Sequence, residues 1–195
     1  MIKFFIGFFL LIANLAVAEQ HLVDAALERL NHQVVYDGSY QSIDYPNGDV
    51  DPRKGVCTDV VIRSYRSLGI DLQELVHEDM KKNFGDYPNI WGLKKPDTNI
   101  DHRRVPNLEE FFKRNGTILP VNQQANTYKP GNIVTWRLPN NLPHIGIISN
   151  IRSDKDPNRY KVIHNIGWGP KLDDMLFEFK IVGHFSYKPK VISHH

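Results

Sequence analysis

Apolar residues recur at helical spacing in four segments of the first half of the chain, and we expect a helix in each. The first runs from Gln20 to Asn31 and the second from Thr58 to Leu68. In the third and fourth, a polar residue is followed three positions later by glutamate, which is the pattern of a capping box. The two predicted boxes pair Asp71 with Glu74 and Asn107 with Glu110.

The second half of the chain predicts strands. Runs rich in β-branched and aromatic residues alternate with clusters of Asn, Pro, Gly and Asp. The four predicted strands are 133–136, 144–149, 160–166 and 177–187. Helices followed by hairpin-connected strands indicate an α+β fold. Residues 19–195 contain no repeat or linker-like stretch, so we expect one domain. Between the halves lies a long polar segment, Gly85–Pro106, of a kind that often forms a binding loop.

The first 18 residues have the pattern of a signal peptide. Lys3 precedes an apolar run that is too short to span a bilayer, and small residues at Ala16 and Ala18 suit cleavage after Ala18. We therefore expect a periplasmic or secreted protein without a stable membrane anchor after cleavage. Loss of Lys3 takes the net charge from +2 to +1, so nothing in the bulk charge favours nucleic acid.

Cys57 is the only cysteine in the chain. In an oxidising compartment structural cysteines come in pairs, so a single thiol there is either used or buried. Cys57 lies where a loop becomes the second predicted helix, and unpaired N–H groups at a helix start favour the thiolate. The sequence therefore makes Cys57 a candidate nucleophile, with a small buried apolar residue as the alternative.

Two histidines on successive predicted strands could serve this nucleophile. His144 begins an otherwise apolar strand and is the candidate base. The next strand carries His164 and Asn165, either of which could orient the imidazole of His144. The alternative is that both histidines are core residues whose hydrogen bonds are satisfied within the fold.

These residues lie in segments that resemble the NlpC-type papain-like cell-wall peptidases. The resemblance covers most of residues 55–170 and rests on the stretches Cys57–Tyr65, Gly69–Leu72, Tyr128–Trp136, Pro143–Ile147 and Val162–Asn165. It implies a papain-like fold with N-terminal helices packed on an antiparallel β-sheet. It also implies Cys57 as nucleophile, His144 as base and His164 as third polar residue. This chain departs from the NlpC-type motifs at two places. Thr58-Asp59 stands where those enzymes have Ser-Gly after the nucleophile, and Asn132 stands in place of the Asp of their Pro-Gly-Asp turn.

The whole chain after residue 18 also resembles a bacterial exported family known as domain of unknown function 1287. The most distinctive stretch is Lys95–Asn107, within the long polar segment. Arg103 or Arg104 could grip a carboxylate of a peptidoglycan stem peptide through a paired N–H fork. We expect Asp59, Asp101 and His102 to border the same substrate site. The alternative is a polar loop held by its own Asp–Arg pairs, with Asp59 as a helix-start acid.

The sequence thus predicts an exported cysteine hydrolase, an amidase or endopeptidase, that acts on peptidoglycan peptide bonds. No metal or organic cofactor is needed for this chemistry. Acyl transfer by the same residues and a non-catalytic cell-wall-binding module are alternatives. A metal site built from His102, His144, His164 and an aspartate is a third, but the spacing matches no close ligand motif.

Overall fold

A computed structural model describes residues 20–188 of the chain. The predicted signal peptide lies outside the described residues, as does the terminal pair His194-His195. No helix among the residues described is both long and apolar enough to cross a membrane.

Four helices occupy the first half, as the apolar spacing predicts. Residues 20–28 are helical (α1), followed by α2 (Cys57–Arg66), α3 (Leu72–Asn83) and α4 (Val105–Asn115). Asp71 caps α3, as predicted. Its side chain accepts from the Gln73 amide at 2.9 Å, however, and not from the amide of Glu74 as a capping box requires.

The predicted cap at Asn107 is wrong, because α4 begins two residues earlier, at Val105. Pro106 lies in the first turn, where its fixed φ suits a helix start and its missing N–H costs nothing. Asn107 is therefore inside the helix and buried, and its Nδ2 donates to the backbone oxygen of Asp101 at 3.1 Å. Helix α4 is thereby tied to the end of the long polar segment.

Eight strands accompany the helices within residues 20–188. A short parallel pair is formed by β1 (Val35–Tyr36) and β2 (Lys54–Gly55). The main sheet has six strands in the order β3-β8-β4-β5-β6-β7, and all its pairings are antiparallel. Its members are β3 (Thr117–Ile118), β4 (Ile133–Arg137), β5 (Pro143–Arg152), β6 (Tyr160–Asn165), β7 (Pro170–Asp173) and β8 (Lys180–Ser186). The expected α+β arrangement of helices and an antiparallel sheet is confirmed.

The two faces of the sheet carry different apolar clusters. One face packs against the helices, with Ile145, Ile147 and Ile163 in the same cluster as residues of α2, α3 and α4. The other face carries Trp136 and Val162 and is covered by the segment around Leu176. The Trp136 indole donates to the Leu176 carbonyl at 3.0 Å. Because alternate residues of a strand point to opposite faces, each core position in β5 and β6 is assigned to one cluster.

The long polar segment is bound to the turn-rich segment that precedes α2. Asn99 accepts from the Ile43 amide at 2.9 Å. Gln73 on α3 bridges both segments, since its amide nitrogen donates to the backbone oxygens of Asp44 at 2.9 Å and Thr98 at 3.0 Å. Both loops are therefore tied to each other and to the start of α3.

Candidate functional site

Cys57 is the first residue of α2 and is buried, with 4% of its surface exposed. Burial raises the pKa of its thiol to about 12, and the carboxylate of Asp59 acts in the same direction. The backbone N–H groups of Ile145, Thr58 and Cys57 itself oppose this effect, because they stabilise the thiolate. The resting thiol is therefore neutral, yet amides suited to a developing negative charge surround it.

The two candidate histidines are hydrogen-bonded to each other. His144 Nε2 and His164 Nδ1 are 2.9 Å apart, with the rings in an edge-on arrangement. Burial lowers the pKa of His144 to about 3, and a charge on His164 would lower it further. His144 is therefore neutral at rest, as a general base must be.

The chain of polar groups continues to Asp173. His164 Nε2 lies 3.1 Å from Asp173 Oδ2. Burial lowers the pKa of His164, and the Asp173 carboxylate opposes this shift. Asp173 has no signal in the sequence, because β7, Pro-Lys-Leu-Asp, has none of the β-branched or aromatic residues that mark a strand. Pairing of β7 with β6 is what brings this carboxylate to the ring.

Gly146 makes the histidine pair possible. It lies directly opposite His164 in the β5–β6 register, and His144 is two residues earlier on the same face. A Cβ atom at position 146 would lie 2.7 Å from Val162 Cγ1 and 3.2 Å from the His164 Cβ. The absence of a side chain here gives His164 the space to lean across the strand toward His144.

Within residues 20–188 no hydrogen bond joins Cys57 to His144, whose ring contacts are with His164 and Trp136. Strand alternation places Ile145 on the face that packs against α2 and His144 on the opposite face. The β5–β6 ladder starts only at Gly146, so the strand edge is free at His144 and Ile145. The Ile145 amide is close enough to lower the pKa of the thiol. The thiol therefore lies against the backbone of Ile145, the residue next to His144, while the imidazole pair lies on the other face of the sheet.

Asn165 has a different position from His164. Its Nδ2 is 3.5 Å from the backbone oxygen of Gly55, and its Oδ1 accepts from the Gly167 amide at 3.1 Å. These contacts support the loop that leads into Cys57. Of the two residues proposed to orient His144, the structure thus places only His164 in contact with that ring.

Asp59 and Arg103 form a buried ion pair, with side chains 3% and 2% exposed. Arg103 donates from Nε and Nη2 to the two carboxylate oxygens, each at 2.9 Å. Asp59 Oδ2 also accepts from the Val56 amide at 2.7 Å, so this carboxylate caps α2 directly before Cys57. The contacts are those expected of an Asp–Arg pair that holds the polar loop in place.

Asp101 and His102 are likewise buried. Asp101 accepts from the Asp97 amide at 2.6 Å and from Arg104 Nη1 at 3.0 Å, and burial raises its pKa. Burial lowers the pKa of His102 to about 3. Neither residue joins the histidine pair, and no group of three potential metal ligands converges among residues 20–188. Arg104, with 17% of its side chain exposed, is the most accessible of the five residues expected to bind substrate.

Tyr36 is a further residue whose ionisation is coupled to the start of α2. Burial raises the pKa of its hydroxyl to about 12, in the same direction as the charge of Asp59 and as a charge that would form on Cys57. The tyrosine ends β1, which pairs with β2 and so runs beside the loop that enters α2. Its only sequence signal was the extended run Val34-Val35-Tyr36.

These features define an α+β protein in which a buried thiol at a helix start and a buried histidine pair lie on opposite faces of the same strand, β5. The chain belongs to the family described as Domain of unknown function (DUF1287), whose model matches residues 23–187. It is 49% identical over 175 residues to "Uncharacterized protein YijF" of Escherichia coli (strain K12), which covers 89% of this chain and 82% of that protein. No solved structure matches it.

Proposed function

We propose that this protein is an exported cysteine hydrolase that cleaves peptide or amide bonds in peptidoglycan. The observation that carries the proposal is the bond between His144 Nε2 and His164 Nδ1, on the strand whose Ile145 amide contacts the thiol at the start of α2. This bond occupies one nitrogen of His144 and leaves Nδ1 as the nitrogen for proton transfer. The resemblance to NlpC-type peptidases supports the same roles for these three residues.

The neutral resting state determines how the reaction begins. Because burial raises the thiol pKa and lowers that of His144, a preformed thiolate–imidazolium pair is disfavoured. Proton transfer from Sγ to His144 Nδ1 therefore accompanies attack on the substrate carbonyl carbon. The imidazolium that forms is stabilised through His164 by the carboxylate of Asp173.

The remaining steps use the same groups. The negative charge on the carbonyl oxygen is stabilised by backbone N–H groups at the start of α2, including that of Cys57. His144 then returns its proton to the leaving amine, and a thioester to Cys57 remains. Water, deprotonated by His144, hydrolyses the thioester and regenerates the thiol. Every step uses only side chains and backbone N–H groups of the protein, the substrate and water.

Export and the cell-wall substrate rest on the sequence. The start of the chain has the charged residue, apolar run and small-residue site of a signal peptide, and cleavage after Ala18 would release the domain into the periplasm or medium. Peptidoglycan is the peptide polymer of that compartment and the substrate of the enzymes that the chain resembles. Its peptides are therefore the proposed partner.

The test is digestion of purified peptidoglycan by residues 19–195, with released fragments identified by mass spectrometry. Cys57→Ala and His144→Gln are the active-site variants, and His32→Gln is the control because this histidine side chain is 42% exposed. We expect fragments from the unaltered protein and the control, and none from the two active-site variants. Fragments released equally by Cys57→Ala, or by none of the four proteins, would contradict the proposal.

A further inference from the structure

An open pocket of about 350 Å³ is lined in part by Val56, the residue before the proposed nucleophile. Three separate segments build it: the loop before β2, the start of α2 and the long polar segment. Its lining consists of Gly38, Tyr40, Val56, Trp91, Ile100, Arg103 and Arg104. Val56 immediately precedes Cys57, and the Thr58 hydroxyl, on the other side, donates to the Arg103 carbonyl at 3.0 Å. The pocket is therefore adjacent to the thiol through both of its chain neighbours.

The two arginines of the pocket differ in what their guanidinium groups can still bind. Arg103 is neutralised by Asp59. Arg104 gives only Nη1 to Asp101, while its Nε and Nη2 have no acceptor within residues 20–188 and remain accessible to solvent. The guanidinium carbon lies 4.0 Å from the centre of the Trp91 ring, so the group is held flat on an aromatic face. Arg104 is thus fixed in place with unused donors.

Tyr40 forms a second rigid aromatic wall. Its hydroxyl lies 3.2 Å from an Asp97 carboxylate oxygen and accepts from Asn99 Nδ2 at 2.8 Å. Yet 59% of the residue is exposed, as is 38% of Trp91. A pocket with two partly exposed aromatic rings and one free guanidinium edge suits a ligand that has an apolar stem and a negative end.

We propose that this pocket is a substrate subsite for a free carboxylate of the peptide, bound by the unused N–H groups of Arg104. Paired N–H donors match the two oxygens of a carboxylate, and the aromatic rings pack against the carbon chain that carries it. This inference rests on the proposed function, since it names the group that positions the peptide for Cys57. It assigns the gripping role to Arg104 and a scaffold role to Arg103.

The test measures binding separately from cleavage. Isothermal titration calorimetry measures the binding of a synthetic peptidoglycan stem tetrapeptide to Cys57→Ala. The same measurement is made with forms of the peptide in which each free carboxylate is converted in turn to a carboxamide. The same titrations use Cys57→Ala combined with Arg104→Gln, with Trp91→Leu or with Arg152→Gln. Arg152 is the matched control, because it also stacks on an aromatic ring, at 3.7 Å from that of Tyr160, and lies outside the pocket. Thermal unfolding checks that each variant is folded.

We expect one carboxamide peptide to bind Cys57→Ala about 10- to 100-fold more weakly than the parent, the range of a charge-assisted hydrogen bond. Arg104→Gln should remove this difference, Trp91→Leu should weaken parent binding and Arg152→Gln should change neither. The inference is overturned if no carboxylate depends on Arg104, or if the parent peptide does not bind.

Digestion of peptidoglycan separates the two proposals. If the unaltered protein cleaves peptidoglycan but no carboxylate depends on Arg104 for binding, the proposed hydrolase is supported and the subsite is refuted. If a carboxylate depends on Arg104 but no cleavage occurs, the binding site is supported and the hydrolase is refuted.

Discussion

Arg103→Met should destabilise the protein by about 3–5 kcal/mol, because it leaves the Asp59 carboxylate buried without its charged partner. Both side chains are at most 3% exposed, so water cannot replace the lost donors without local unfolding. The same substitution at Arg53 is the control, since Arg53 forms an ion pair with Asp51 but is 82% exposed. Such exposed pairs contribute about 0–1 kcal/mol.

Urea unfolding followed by circular dichroism measures this difference. With a typical slope near 2 kcal/mol per M, the midpoint of Arg103→Met should fall by about 1.5–2.5 M, and that of Arg53→Met by less than about 0.5 M. The double variant Asp59→Asn/Arg103→Met should regain much of the loss. Asn removes the unpaired charge while it keeps an oxygen for the Val56 amide. A midpoint for Arg103→Met within about 0.5 M of the unaltered protein would refute the reasoning.

Three further predictions concern the histidines and their neighbours. Since the pKa values of His102 and His144 are about 3 in the folded protein, the unfolded chain alone takes up these protons below pH 6.5. As the pH is lowered from about 6 to about 4, the free energy of unfolding should therefore decrease by about 1.4 kcal/mol per pH unit for each histidine. Equal stability in urea unfolding at pH 7 and pH 5 would contradict this. Asp173→Asn should lower kcat on peptidoglycan fragments by at most about tenfold and leave KM unchanged, since the carboxylate is 48% exposed and acts only through His164. An unchanged kcat would show that Asp173 has no positioning role. Gly146→Ala should destabilise the protein by about 1–3 kcal/mol and lower kcat, because the added methyl group would enter the space between Val162 and His164. A variant with the thermal unfolding and kcat of the unaltered protein would contradict the proposed reason for this glycine.

The elements of this fold were predictable where a single periodicity extends over several residues. The second and third helices and the strands from 133 to 165 were found to within about three residues at each end, because their apolar residues repeat with a period that packing reinforces. The strand predicted from Phe177 instead begins at Lys180, and Phe177 lies in a turn where its ring packs edge-on against Tyr128. An aromatic residue can satisfy its need for burial from a turn as well as from a strand.

The candidate site was only partly accessible from the sequence. Cys57, His144 and His164 carried signals of their own: a lone thiol at a helix start and polar rings in apolar strands. Asp173 carried none, since its role follows from the pairing of β7 with β6 and not from its neighbours in the chain. The same holds for Tyr36, which the pairing of β1 with β2 places opposite Gly55, two residues before Cys57. Partners contributed by non-local pairing are the part that a local pattern does not reveal.

Arg103 and Arg104 show why a polar cluster in a sequence does not by itself define a binding site. The backbone at Arg104 is extended, with φ −105° and ψ 116°, whereas Arg103 ends a turn of 3₁₀-helix, so the adjacent side chains take different directions. One meets a buried carboxylate that also caps α2, and the other lies on Trp91 at the pocket. The first determines how the loop is fixed at the start of the helix, and its one unpaired nitrogen, Nη1, is buried, so only the second has accessible donors left for a ligand. Because the loop is built on the Arg103 ion pair, loss of that pair should disturb the pocket as well as the fold. An effect of Arg103 on activity is therefore informative only when compared with Arg104 variants of equal stability.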